Sequence, residues 1–140
     1  MIAIEKRWAE AVLSGFTAGG AGDPRLPLEG VDYPGAIASL VDHGNAISAV
    51  GVRLALCAIA TAPAWHWGQP RTMVELAPEE RAALLTELLE HHTFAVRELA
   101  ILMKIQAAMA LFGSPAVRLA STYGRTAGRR AVHLRTVGGA

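Results

Sequence analysis

At 140 residues the chain has the length of one ordinary domain and can bury a sizeable core. Hydrophobic residues make up 52% and charged residues 18%, which excludes a disordered chain, while aromatics at only 6% argue against a sandwich or barrel. The net charge of +1 is unevenly spread: residues 1–124 hold nine Lys/Arg against twelve Asp/Glu, and residues 125–140 hold Arg125, Arg129, Arg130 and Arg135 with no acid.

A first helix is predicted from about Ile4 to Phe16, with Ile4, Trp8, Val12 and Leu13 on one face. Gly15, Gly19, Gly20 and Gly22 are expected to end it, and the stretch to Gly30, with Pro24 and Pro27, reads as an extended loop. Asp32 is a candidate N-cap for a short helix that Pro34 opens and Gly44 closes, and Asn45 can cap the next.

The segment Ala46–Thr61 is apolar almost all round, with Arg53 its only charge. Such a helix belongs either in a bundle centre or in a membrane. An arginine near the middle of a span costs about 2.5–3.5 kcal/mol on insertion scales, and Pro63 shortens the run, so a core helix is expected. Arg53 should then be a buried ion pair whose partner lies on another helix. Cys57, the single cysteine, is expected as a buried reduced thiol.

Pro63 to Thr72 reads as a loop carrying Trp65, His66 and Trp67. The two tryptophans either cap the bundle's own core or present a binding hot spot. Pro78 opens the next helix with Glu79 and Glu80 in its first turn, and Leu84, Leu85, Leu88 and Leu89 form its buried stripe. Near His91–Thr93 the chain turns or kinks, with Thr93 a plausible cap. A long helix to Phe112 follows, its stripe running through Leu99, Leu102, Ile105 (or Gln106), Met109 and Phe112. Gly113 stops it, and Ser114-Pro115 opens a last short turn. The sum is an all-α, single-domain bundle of about five or six helices over residues 1–124. Residues 125–140 read as a basic, flexible tail, either a frayed end or an arm for an acidic surface or nucleic acid.

Among groups that could carry chemistry, Glu87, Glu90, His91 and His92 stand closest together. Glu87 and His91 are four apart and share a helix face, so both could reach one metal. A di-iron bundle needs Glu-x-x-His on two helices, whereas Glu-x-x-x-His occurs here once, so a solvated helix end is the expectation. No nucleotide loop and no ordered Ser, His and acid set is present. The residues therefore predict no catalytic, cofactor-binding or metal-binding site in this chain. The alternative is a small metal- or ligand-binding protein centred on Glu87, His91 and His92. Nucleic-acid binding is the weakest reading, because residues 1–124 are acidic on balance.

Several segments together resemble a known family. They are the opening helix and Gly/Pro loop from Trp8 to Leu28, then Val52-Arg53-Leu54-Ala55-Leu56 and Pro78-Glu79-Glu80-Arg81-Ala82-Ala83-Leu84-Leu85. The most specific are Leu102-Met103-Lys104-Ile105-Gln106-Ala107-Ala108-Met109-Ala110-Leu111-Phe112, Ser114-Pro115-Ala116-Val117-Arg118 and Tyr123-Gly124. Over roughly residues 8–124 the chain resembles the small helical module that accompanies glucose–methanol–choline-type flavin oxidoreductases. That module is fused ahead of the flavin domain in long-chain alcohol oxidases and dehydrogenases, and is loosely similar to the gluconate 2-dehydrogenase small-subunit family. The family's closing Gly-Tyr pair is inverted here to Tyr123-Gly124.

The resemblance implies a non-catalytic accessory subunit whose larger partner holds the FAD, the substrate pocket and the catalytic histidine. Trp65, Trp67, Arg118, Tyr123 and Arg125 are the expected partner interface, since tryptophans and arginines make strong contacts in desolvated interfaces. Neither a secretory signal nor a twin arginine opens the sequence, so a cytoplasmic subunit is expected rather than an export escort.

Overall fold

The computed structural model describes residues 1–18 and 27–120, which form seven α-helices, one 3-10 turn and no strand. The helices are α1 (Ala3–Ala18), α2 (Tyr33–His43), α3 (Ala46–Ala60), α4 (Ala62–His66), α5 (Pro78–Leu89), α6 (Phe94–Gly113) and α7 (Pro115–Ala120), with the 3-10 turn at Met73–Glu75. The all-α expectation is met, and α4 and α7 are short helices beyond the five long ones. None of the helices among the described residues is long and apolar enough to cross a membrane.

The helix at the centre is α1, not α3. It packs against α2, α3, α5, α6 and the 3-10 turn, and Ala9, Val12 and Leu13 are wholly buried. Ala9, Ala11 and Gly15 on its inner side are small, so neighbours approach closely there. Gly15, expected to end the helix, lies inside it, where an added Cβ would come within 2.7 Å of Leu85 Cδ1 and 3.4 Å of Arg81 Cβ. The absent side chain is what lets α5 close on α1.

The sequence-based placement of α3 is therefore corrected. Val52, Ala55, Leu56, Ile59 and Ala60 face the core, but Ile47 is 86% exposed, Leu54 65% and Val50 57%. Cys57 is also exposed, so the expected buried thiol is an outward one. A helix that is apolar all round has no polar face to mark its outer side, so its sequence could not reveal that one side stays in water. Arg53 finds its partner on another helix, Glu5 of α1, at 3.4 Å. The Arg53 side chain is 46% exposed, however, so the pair lies at the bundle surface rather than in its core.

Side chains close the helix ends largely as their sequence positions suggest. The Asp32 carboxylate accepts from Gly35 N at 2.8 Å, and Asn45 Oδ1 accepts from Ser48 N at 2.8 Å. Thr61 ends α3 by donating its hydroxyl to Cys57 O at 2.8 Å. Pro63 then sits in the first turn of α4 instead of in a loop, where its missing N–H costs nothing. Glu80 accepts from Ala77 N at 2.9 Å at the start of α5, and Thr93 holds the N-cap position of α6.

Along α5, Leu84, Leu85 and Leu88 are buried as expected. On α6 the expected stripe is rotated: Ala100, Met103 and Ala107 are buried, whereas Ile105, Met109 and Phe112 stand half or more exposed. Here too leucines and methionines surround the helix, and the alanines win the inner side because they allow closer packing. Val117 is buried and docks α7 on the core.

Arg81 provides a connection that periodicity does not reveal. Its Nε donates to Met73 O at 2.9 Å and its Nη2 to Val74 O at 3.0 Å, tying α5 to the 3-10 turn. The turn itself is closed by Glu75, whose carboxylate accepts from Thr72 N at 2.6 Å and from the Thr72 hydroxyl at 3.2 Å. These bonds hold its carboxyl below the usual glutamate range.

Two arginines should thus behave differently on truncation. Arg81→Met is expected to lower unfolding stability by about 1.5–3 kcal/mol, because two charged hydrogen bonds to backbone are lost. Arg53→Ala should cost no more than about 1 kcal/mol, as for exposed pairs. Urea denaturation of both variants checks the order, and a larger loss for Arg53→Ala contradicts the surface placement.

Candidate functional site

The two segments that stood out in the sequence, Trp65-His66-Trp67 and Glu87 to His92, meet in space. The turn after α4 lays Trp67 against the core, where its Nε1 donates to Glu87 Oε2 at 2.8 Å. The same oxygen is 3.0 Å from His66 Nε2. Trp65 turns the other way and folds back over the end of α3, donating its Nε1–H to Ala58 O at 3.0 Å while staying 45% exposed.

Next to these lie the two histidines that follow α5. The His66 ring is edge-on to His91 at 5.4 Å, Trp65 is edge-on to His91 at 6.3 Å, and His91 stacks on His92 at 4.3 Å. Thr93 N donates to His91 Nδ1 at 3.1 Å, which occupies that nitrogen's lone pair. Desolvation first, then the neighbouring His92 and His66, push the His91 pKa below the ordinary histidine value.

The cluster sits where the turn after α4 meets the end of α5. Glu87 is engaged by His66 and Trp67, and among the described residues no three His, Cys, Asp or Glu side chains converge as a metal would require. Glu87, His91 and His92 are thus close in chain and in space, yet the partner that Glu87 takes is His66 of α4. Sequence spacing missed that pairing because it links residues 21 apart.

A second concave feature lies along α1. It is a groove of about 370 Å³ bordered by Lys6, Arg7, Glu10, Pro34, Val74 and Arg81. Partial burial, then the nearby Asp32, raise the Glu10 pKa, while Arg81 opposes the shift. Since the guanidinium of Arg81 is already bonded to Met73 and Val74, the groove's inner cation serves the fold.

Of the expected interface residues, Trp65, Trp67 and Arg118 lie among the described residues. Trp65 touches His91, just before α6 begins, whereas Arg118 lies in α7, past the end of α6. The 20 residues of α6 extend about 30 Å between these two segments of the chain. Arg118 is exposed; Tyr123 and Arg125, and the basic segment 125–140, lie outside the described residues. No protein-family model, curated protein or solved structure matches this chain.

Two measurements test the arrangement of the cluster. Trp67→Ala should destabilise the fold by about 2 kcal/mol or more, because a core contact and the bond to Glu87 are lost together. Trp65→Ala should cost under about 1 kcal/mol, as for an exposed side chain. In a proton NMR titration His91 should titrate below the usual value near 6.5, and His92→Gln or His66→Gln should bring it back up. Because the folded state disfavours the His91 proton, this group's contribution is complete above about pH 6.5 and is lost as pH falls toward the lowered pKa. An unshifted His91 contradicts the stacked geometry.

Proposed function

We propose that this chain is a non-catalytic accessory subunit that works by covering, and being covered by, a larger protein. The observation that carries the reading is the apolar surface at the α6–α7 end. Ile105, Met109 and Phe112 follow i, i+4, i+7 spacing along one face of α6 and are 50%, 64% and 64% exposed, and Leu119 of α7 is 78% exposed. Monomeric proteins rarely leave large apolar side chains grouped in this way unless a partner covers them.

The partner we infer is a flavin-dependent alcohol or sugar dehydrogenase or oxidase, the large subunit implied by the resemblance of Leu102–Phe112 and Ser114–Arg118 to the family's small module. The FAD and the reacting groups would then belong to the large subunit, and this chain would contribute surface and stability. Trp65, at the other end of α6, would be a separate contact, or none, since Trp67 is already used within the fold.

Purification of the tagged chain from its native host is expected to bring down a larger yellow protein. Met109→Glu combined with Phe112→Glu should weaken that complex by about 30-fold or more, the scale of a lost hot spot of about 2 kcal/mol. Helical content should be unchanged, because both side chains already face water. Capture of no flavoprotein ends the reading; undiminished capture by the double variant moves the interface away from α6.

A further inference from the structure

The outer face of α3 is a second apolar surface, and neither the fold nor the proposed partner site accounts for it. Ile47, Val50, Leu54 and Cys57 recur at intervals of three and four residues, so they form one stripe. Trp65, anchored on Ala58 O, continues it past the end of the helix. Exposed to this degree, large side chains present on the order of 100 Å² each. The stripe as a whole is therefore on the order of 400–500 Å², the scale of the largest patch a monomer usually leaves bare. That supplies the apolar centre of an interface of about 800 Å² per partner, the standard size for a stable pair.

We propose that this face is a self-association surface, through which two copies of the chain pair α3 against α3 about a twofold axis. The charge pattern selects the occupant. A twofold contact sets every residue near the axis against its own copy, so a charge there would face its like. No residue of the stripe is charged, and the only charge on α3, Arg53, is neutralised by Glu5 of its own chain. Nothing on the face calls for a charged complement, and an identical uncharged face satisfies it. Mid-stripe, Gly51 has nothing within 4 Å of where a Cβ would be, leaving space for a side chain of the second copy. The surface lies on α3, away from the α6–α7 face, so the inference does not depend on the proposed function.

Cys57 makes the test direct, because it is the chain's single cysteine and belongs to the stripe. The full chain should sediment as a dimer, and the reaction of Cys57 with a small disulfide reagent should slow as protein concentration rises. Leu54→Glu, at an exposed position, should give a monomer of unchanged helicity whose Cys57 reacts fast at every concentration. Ile47→Lys, at the far end of the stripe, should do the same and serves if Leu54→Glu misfolds. A monomer at all concentrations overturns the proposal. So does a dimer that survives both substitutions with Cys57 still fully reactive, because its contact lies elsewhere. Protection of Cys57 only when a larger protein is bound also overturns it and assigns the face to that partner.

Discussion

Close packing around α1 is the constraint on which the rest of the bundle depends. Ala9, Ala11, Val12, Leu13 and Gly15 give the central helix a narrow inner surface, and α2, α3, α5 and α6 all pack on it. Small side chains bring helix axes together, and at Gly15 the approach of Leu85 leaves no space for even a methyl group without movement. Helices gathered around such a core can each bury one side only. For α5, with Glu79, Glu80, Glu87 and Glu90 in its neighbourhood, that suits the sequence. For α3 and α6 it leaves apolar side chains in water, and those outward faces follow directly from the central position of α1.

Polar groups in this protein work mainly at helix ends and junctions. Arg81 fastens the 3-10 turn to α5, Glu87 joins the turn after α4 to α5, and Asp32, Asn45 and Glu80 satisfy amides that begin helices. At Glu87 one carboxylate oxygen accepts from the Trp67 indole and lies 3.0 Å from His66 Nε2. The histidine junction is still sensitive to pH, because desolvation and then the neighbouring His92 and His66 hold the His91 pKa below its ordinary value.

The two exposed apolar faces ask for different kinds of cover. The α3 face is uncharged along its length, with its flanking arginine paired inside the chain, which suits a copy of itself. The α6–α7 face, formed by Ile105, Met109, Phe112 and Leu119, would take the larger partner proposed above. An accessory subunit that dimerises through one face and docks through the other would bring two large subunits together.

The sequence by itself determined the helical class, most helix boundaries, the caps at Asp32 and Asn45 and the N-cap position of Thr93, because these depend on residues within one turn of each other. It also placed the partner of Arg53 on another helix, where Glu5 is found, but the burial behind that reading is not what the fold shows. Only the tertiary structure decided which sides of α3 and α6 are inner, because helices apolar all round carry no period that distinguishes core from solvent. Cys57, Ile105, Met109 and Phe112 were misplaced for that reason. The split roles of Trp65 and Trp67, the bonding of His66 to Glu87 and the two carbonyls held by Arg81 likewise needed the fold. Local spacing is blind to contacts between residues 20 or 21 apart, and for Arg81 the carbonyls lie on a turn that packs on α1 and α3.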